Sequence, residues 1–281
     1  MKRFFADAWY LMRRNPVTLL AGSGVLLLLF LAIFGPWITS HDPLKTNAYA
    51  SLKAPSLDHW FGTDQLGRDL FSRVVAATRL DIAISLIAVL LSASVGVLTG
   101  AVAGYAGGWF DRIIGRCTDV LMAFPLFVLA MGLVAALGNT VQNVVLATAI
   151  VNLPFYVRLM RAEVNVRREA GFIEAARVCG NGHASVLFRQ LIPNCMMPIT
   201  IQMSLNLGWA ILNTAGLSYI GLGVQAPTPE WGIMVADGSS GMMSGEWWVA
   251  VFPGLALMLS VFCFNLLGDG MRDMLDPRRR T

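Results

Sequence analysis

The sequence predicts an all-α integral membrane protein with six transmembrane helices, and three observations lead to this class. First, 56% of the 281 residues are hydrophobic and only 14% are charged, whereas a soluble domain carries about 25% charged residues. Second, five long stretches contain no Asp, Glu, Lys or Arg. Third, Lys and Arg are spread unevenly over the segments between them. The uncharged stretches are 17–40, 82–103, 120–157, 190–229 and 247–268.

The uncharged stretches give the positions of the helices. A transmembrane helix needs roughly 20 apolar residues to cross about 30 Å of hydrocarbon. Stretch 120–157 is too long for one helix, and Gly138-Asn139-Thr140 divides it because Gly and Asn favour turns. The predicted spans are about 17–39, 82–104, 113–137, 141–160, 196–222 and 248–268.

The distribution of positive charge predicts the orientation, because cytoplasmic loops of membrane proteins carry an excess of Lys and Arg. With the N-terminus inside, 16 of the 21 Lys and Arg residues fall in cytoplasmic segments. The other five lie in the first outer loop, 40–80, where Asp residues balance them. Both termini are therefore predicted to be cytoplasmic.

The N-terminal segment, 1–16, is predicted to be a short amphipathic helix on the inner membrane surface in contact with lipid, with an ordinary basic tail as the alternative. No A-x-A cleavage site follows the first apolar run, which favours an uncleaved first span. None of the four cysteines falls in a predicted outer loop, so no disulfide is expected. No Cys/His spacing typical of zinc sites is present, and no metal is expected.

The second span carries Ser92, Gly96, Gly100 and Gly104 at four-residue spacing. Small residues at this spacing allow two helix backbones to approach closely in lipid, where hydrophobic burial does not drive association. We interpret them as a helix-packing face rather than a ligand site.

The fifth span carries three amide side chains on one helical face, Gln202, Asn206 and Asn213. Amides within a membrane need hydrogen-bond partners. They either join neighbouring helices or line a polar pathway, and the sequence leaves both alternatives open.

The segment 158–194 is too long for a simple turn. Phe172, Ile173 and Ala176 give a short helix an apolar face, and Gly180 and Gly182 are expected to end it. A second short helix is predicted over 184–191, ending at Pro193. A small amphipathic helix at this position has no core of its own, so it is expected to contact a partner protein or, alternatively, the membrane surface.

Glu174-Ala175-Ala176, followed by Gly180 and Ile192-Pro193, resembles the EAA loop of the permease subunits of ABC importers. Gln190 and Ile192 depart from the family pattern, but both lie outside the short helix. Three further segments are similar to the peptide/opine/nickel permease family, and to its C-type, dipeptide-permease-like subunits: 59–73, 217–232 and 264–277.

The resemblance implies a type I ABC importer permease of the bacterial inner membrane, with residues 17–281 as the transmembrane domain and an EAA loop at 161–194. The implied partners are a second homologous permease in a heterodimer, two cytoplasmic ATPases and an outer solute-binding protein; none is a nucleic acid. ATP and Mg would bind to the ATPases, since this chain lacks G-x-x-x-x-G-K-[ST]. The implied ATPase contacts are Phe172, Ile173, Glu174, Ala175, Ala176 and Gly180.

The outer loops would receive the binding protein, and Asp64, Arg68 and Asp69 are the polar candidates for this contact. The alternative is that these three side chains hold the loop to its own fold. The implied substrate is a dipeptide or oligopeptide, with glutathione, D-amino-acid dipeptides, opines and nickel complexes as alternatives within the family.

Three classes compete with this interpretation. A secondary transporter depends on ionisable residues within the membrane, and the centres of the predicted spans contain none. An intramembrane serine protease would need a base beside Gly238-Ser239-Ser240-Gly241, and no histidine follows His183. A structural membrane protein without transport is the third class. It would form no complex with ATPases, and Gly180→Asp would leave uptake intact.

Overall fold

The structure, a computed structural model, describes residues 16–275, and within this range it is a bundle of helices. The segment predicted for 1–16 lies outside these residues, apart from Pro16, with which the first helix begins. The helices are α1 (Pro16–Ile38), α2 (Leu70–Ala106), α3 (Gly108–Met122), α4 (Leu126–Leu137), α5 (Val141–Arg167), α6 (Gly171–Val178), α7 (His183–Tyr219), α8 (Trp231–Ser239) and α9 (Trp248–Leu275).

Five of these helices are long and apolar enough to cross a membrane, and the pair α3 and α4 brings the number to six if it is taken as one bent span. The predicted all-α membrane class is therefore confirmed. The turn predicted at Gly138–Thr140 is also confirmed. Gly138 follows α4 with φ of +98°, and the Thr140 side chain accepts the Asn143 N–H to cap α5.

The third span was predicted as one helix over 113–137, but the structure has two helices there. α3 and α4 meet at a bend of 90°. Pro125 lacks the N–H that a continuous helix needs, and it disfavours helical geometry at Phe124. Two ion pairs join α3 to α5, at 2.7 Å between Asp111 and Arg161 and at 2.9 Å between Asp119 and Arg158.

Two other helix boundaries also differ from the predictions. α2 begins at Leu70 rather than near 82, so its first three turns lie in the segment that was assigned to the outer loop. The separate helix predicted over 184–191 is wrong, because this segment is continuous with the fifth span in α7. A π-helical segment, Val186–Leu191, ends two residues before Pro193, and its change of hydrogen-bond register accommodates a residue that cannot donate.

A close helix crossing joins α2 to α5. A Cβ atom added at Gly96 would lie 2.5 Å from the Tyr156 Cβ, and one added at Gly100 would lie 2.6 Å from the Val157 carbonyl oxygen. At Gly104 the nearest atom would be the Arg161 carbonyl oxygen, at 3.1 Å. The small residues therefore let the two backbones touch, which is how helices gain packing energy in lipid.

The connection between α1 and α2, residues 39–69, is an ordered loop at one end of the bundle, called the loop end here. The buried Thr63 hydroxyl donates to the Ala50 carbonyl oxygen and accepts the Lys53 N–H at 2.8 Å. Trp248 of α9 donates its indole N–H to the Thr63 carbonyl oxygen at 3.2 Å. Because its backbone is held at several points, this loop has a fixed shape.

A test of the α2–α5 crossing is the substitution Gly100→Leu. We expect it to destabilise the protein by about 1–3 kcal/mol, because the added side chain must displace the α5 backbone. Gly132→Leu is the matched control, since nothing lies within 4 Å of a Cβ atom added there. Thermal unfolding in detergent measures both variants, and equal midpoints would contradict the close crossing.

Candidate functional site: the short helix α6 and the polar face of α7

The short helix α6 lies at the opposite end of the bundle from the loop end, here called the α6 end. α2 runs the length of the bundle, about 55 Å for a helix of 37 residues. Its last turn contacts the segments that flank α6. The Tyr105 hydroxyl and His183 Nδ1 are 2.8 Å apart, and Arg168 donates to the Gly104 carbonyl oxygen at 3.1 Å.

One face of α6 packs against its own chain. The Ile173 side chain is fully buried in a core cluster with Met160 and Val164 of α5 and Leu191 of α7, and Ala176 packs against the same cluster. The sequence-based expectation that α6 had nothing of its own to bury against is therefore wrong. Ile173 fixes the helix to α5 and α7, and it does not belong to the exposed surface.

The other face of α6 is open. Phe172 is 43% exposed and Val178 is 88% exposed, and the side chains of Glu174 and Ala175 between them are exposed as well. An apolar surface with one carboxylate, held rigidly at the end of a bundle, is suited to contact with another protein. Together these four residues are called the α6 surface.

Gly180 has the role that a glycine commonly plays at the end of a helix. Its φ of +82° is in the left-handed region, where a side chain costs energy. Its N–H donates to the Arg177 carbonyl oxygen at 2.9 Å, and the Asn181 N–H donates to the Ala176 carbonyl oxygen at 3.1 Å. This is a Schellman motif, and it turns the chain from α6 toward α7.

The cationic side chain of Arg177 gives α6 a further attachment. Its guanidinium carbon lies 5.7 Å from the centre of the Tyr105 ring, a distance typical of cation–π contacts. The Tyr105 ring thus contacts both Arg177 on α6 and His183 at the start of α7. α6 is joined in this way to α2 as well as to α5 and α7.

The three amides predicted on the fifth span lie on α7 and face the interior of the chain. Gln202 donates to Asn206 at 2.9 Å, and Asn213 donates to Thr148 of α5 at 3.2 Å. Among the described residues, the buried Asn206 Nδ2 and Asn213 Oδ1 atoms have no hydrogen-bond partner. Asn213 thus joins two helices. Gln202 and Asn206 bond to each other, and the Asn206 N–H groups have no acceptor in the described part of the chain.

Asp64, Arg68 and Asp69 are each no more than 6% exposed. Asp64 accepts from Arg68 Nε at 2.6 Å and lies 3.5 Å from Arg73 Nε. Asp69 caps α2 by accepting from the Ser72 N–H at 2.9 Å. These contacts hold the loop to its own fold, which is the alternative to a contact with the binding protein. They leave little of the three side chains at the surface.

Sequence reasoning did not single out a carboxyl pair that joins α2 to α8. Asp81 accepts the Trp231 N–H at 3.1 Å, and Glu230 caps α8 by accepting the Ile233 N–H at 2.8 Å. The two buried carboxyl groups are close enough for the charge of one to act on the other, and the Asp81 Oδ1 and Glu230 Oε1 atoms have no hydrogen-bond partner among the described residues. Their separation along the chain hides the pair, because only folding brings them together.

The pKa of Glu230 reflects this burial. Loss of solvent raises it to about 7, although the Ile233 and Gly232 N–H groups favour the charged form. Two carboxylates buried in contact cannot both be charged without a large cost, so one proton shared by the pair is the stable arrangement near neutral pH.

The fold defines a polytopic membrane protein with a short helix exposed at one end of the bundle, and comparison with known proteins gives the family. The model of the binding-protein-dependent transport system inner membrane component matches residues 96–281. The model of the N-terminal transmembrane domain of oligopeptide transport permease C matches residues 3–55.

Three relatives illustrate the similarity. The chain is 41% identical over 275 residues to the dipeptide transport system permease protein DppC of Alkalihalophilus pseudofirmus, covering 98% of this chain and 90% of that one. It is 42% identical over 269 residues to the probable D,D-dipeptide transport system permease protein DdpC of Escherichia coli (96% and 90%). It is 43% identical over 273 residues to the glutathione transport system permease protein GsiD of Shigella boydii (97% and 90%).

The chain therefore belongs to the family of inner membrane components of binding-protein-dependent transport systems. The resemblance drawn from the EAA-like segment and the C-type motifs is confirmed.

The carboxyl pair predicts a pH-dependent stability. A pKa raised in the folded state means that folding binds the proton, so stability is full below the unfolded pKa of about 4.5 and falls as pH rises to about 7. The loss is on the order of 1–3 kcal/mol. We expect Glu230→Gln to weaken this dependence, because the amide keeps the helix cap without titrating and only the buried Asp81 carboxyl remains.

Thermal unfolding in nonionic detergent from pH 5 to pH 8 measures the effect. Asp58→Asn, at an exposed position of the loop, is the control and should keep the wild-type profile. A Glu230→Gln profile parallel to that of the wild type would contradict the assignment.

Proposed function

We propose that this chain is a permease subunit of an ATP-driven importer that carries dipeptides, oligopeptides or closely related solutes across the bacterial inner membrane. It forms half of the translocation pathway and does not itself hydrolyse ATP. The observation that carries the proposal is the α6 surface, placed between α5 and α7 at the end opposite the ordered loop, in a chain that belongs to a transport permease family.

The proposed partners follow from this placement. Two ATPases dock at the α6 end, and ATP and Mg bind to them rather than to this chain. A solute-binding protein docks at the loop end, and a second homologous permease completes the pathway as a heterodimer. The α6 end and both termini face the cytoplasm, which the excess of Arg and Lys in those segments supports.

The coupling route is mechanical. A force on Phe172, Glu174 or Ala175 is transmitted through the buried Ile173 to α5 and α7, because a fully packed side chain has no free volume in which to yield. α5 carries α2 with it through the glycine crossing. ATPase closure would thus move α2, α5, α6 and α7 as one body, and the rotation of such bodies alternates access to a central site.

The solute class rests on the relatives, which are named for transport of dipeptides, D,D-dipeptides and glutathione. All three solutes are short, polar and linked by amide bonds. The partly exposed Gln202, next to Asn206 on α7, has an amide group that can both donate to and accept from a peptide bond.

The α6 surface gives a direct test of coupling. Ala175→Arg places a long cation in the proposed ATPase contact while pointing away from the core. We expect it to reduce co-purification of the ATPases by at least about 10-fold, since a misplaced charge in an interface costs more than about 1.4 kcal/mol. Uptake of labelled dipeptide in cells should fall with it.

Ala54→Arg is the matched control, since Ala54 is exposed in the loop at the opposite end. It should leave ATPase binding unchanged. Normal assembly and uptake with Ala175→Arg would contradict the coupling role of α6, while equal loss in both variants would indicate a general folding defect.

The polar face of α7 gives a second test. We expect Gln202→Leu combined with Asn206→Leu to reduce peptide uptake by at least about 10-fold while the complex still assembles, because leucine keeps the volume and removes only the polar groups. Leu212→Ala, at an exposed position of the same helix, is the control. Unchanged uptake would assign the two amides to helix packing.

Competition identifies the solute. Uptake of a labelled dipeptide is measured against unlabelled dipeptides, tripeptides, D,D-dipeptides, glutathione, an opine and a nickel chelate. A peptide transporter is inhibited by peptides and not by free amino acids; inhibition by the opine or the chelate alone would reject the peptide class.

A further inference from the structure

At the loop end, three side chains with metal-binding atoms come together that are distant in the sequence. His41 follows α1, His59 lies in the middle of the loop, and Asp69 is the residue before α2. Each offers one donor atom, and these atoms lie within 4.8 Å of one another. The two imidazole rings have their centres 4.9 Å apart.

The hydrogen bonds of this cluster determine which of its atoms are available to bind a metal ion. One oxygen of Asp69, Oδ2, caps α2 by accepting from the N–H and the hydroxyl of Ser72. The other oxygen, Oδ1, is not needed for the cap and lies 2.8 Å from His59 Nδ1. His41 Nδ1 lies 3.0 Å from the Ser40 hydroxyl, so its Nε2 atom is available.

The surroundings favour a cation with access from solvent. The three side chains line a cavity of about 330 Å³ that also contains Asp42 and Lys45. Two carboxylates therefore outweigh one ammonium when the imidazoles are neutral. The Asp69 side chain is only 4% exposed and His59 is 18% exposed, whereas His41 is exposed. Two ligands are thus held in place, and the third closes the site from the solvent side.

We propose that His41, His59 and Asp69 form a binding site for a divalent transition metal of the zinc type. Imidazole with carboxylate suits Zn²⁺ and its neighbours, whereas Mg²⁺ and Ca²⁺ prefer oxygen ligands alone. At bond lengths of about 2.0–2.1 Å, tetrahedral ligand atoms lie about 3.4 Å apart. The His59 and Asp69 atoms need to separate by only about 0.6 Å, and water completes the shell.

The site would join three segments. His41 is attached to the end of α1, His59 to the loop and Asp69 to the start of α2. A bound ion would fix the position of α1 relative to α2 at the loop end, beyond what the loop's own hydrogen bonds provide. The stability of the loop would therefore depend on the metal concentration in the solution at the loop end.

The experiment uses the full-length chain, purified through a tag without histidine, stripped with EDTA and dialysed against buffered Zn²⁺. Zinc content is measured by mass spectrometry, and affinity by competition with a chromophoric chelator. His183→Ala is the matched control, since His183 is the only other histidine of the chain and lies at the α6 end beside Tyr105.

We expect one zinc ion per chain in the wild type and in His183→Ala. His41→Ala and His59→Ala should each weaken binding by at least about 10-fold. Asp69→Asn keeps an oxygen for the helix cap but loses the charge, and it should weaken binding as well. Zinc should raise the thermal midpoint of the wild type and not that of His41→Ala.

Failure to bind zinc, or equal affinity in the wild type and both histidine variants, would overturn the proposal. Misfolding would not explain weaker binding by His41→Ala, because His41 is exposed and its removal leaves the core intact. An unchanged thermal unfolding midpoint in EDTA verifies this. The measurement does not involve transport, so its outcome is independent of the function proposed above.

Discussion

The rest of the structure depends on the contact between the backbones of α2 and α5. In lipid, burial of apolar surface does not drive helices together, so close packing must supply the association energy. Gly96, Gly100 and Gly104 leave no side chain between the two helices, and the Tyr156 Cβ and Val157 carbonyl occupy the space. This contact places the last turn of α2 beside the start of α7, and Tyr105 can therefore contact both His183 and Arg177.

The two ends of the bundle are built differently. At the loop end, charged side chains are buried and paired, as with Asp64 between Arg68 and Arg73, and Asp81 and Glu230 hold α8 against α2. At the α6 end, apolar side chains such as Phe172 and Val178 are exposed instead. A solute-binding protein and an ATPase would accordingly meet surfaces of different chemistry.

The sequence predicts the features that depend on composition and local pattern. Uncharged stretches locate the long helices, the four-residue spacing locates the α2 packing face, and Phe172, Ile173 and Ala176 give α6 its apolar side. It does not predict features that depend on tertiary contacts. The bend at Pro125 and the passage of α7 through Pro193 look alike in sequence, since each is a proline in an apolar segment. The structure distinguishes them, because the chain bends by 90° at the first and continues as one helix through the second.

The same limit applies to the side-chain clusters. Asp81 and Glu230 are separated by most of the chain, and His41, His59 and Asp69 have no motif spacing. Ile173 was expected to contact a partner protein, because the sequence of an eight-residue helix reveals its apolar face but not which residues pack against that face. The packing of α7 beside α5 decides that question.

The burial of Ile173 also bears on how the subunit changes over evolutionary time. Ile173 and Ala176 attach α6 to its own chain, whereas the α6 surface stays exposed. If an ATPase docks there as proposed, its recognition would involve only these few side chains, on a helix that the permease holds in place by itself. Few substitutions would then be needed for the subunit to bind a different ATPase, and one ATPase pair could serve several permeases whose solute pathways have diverged.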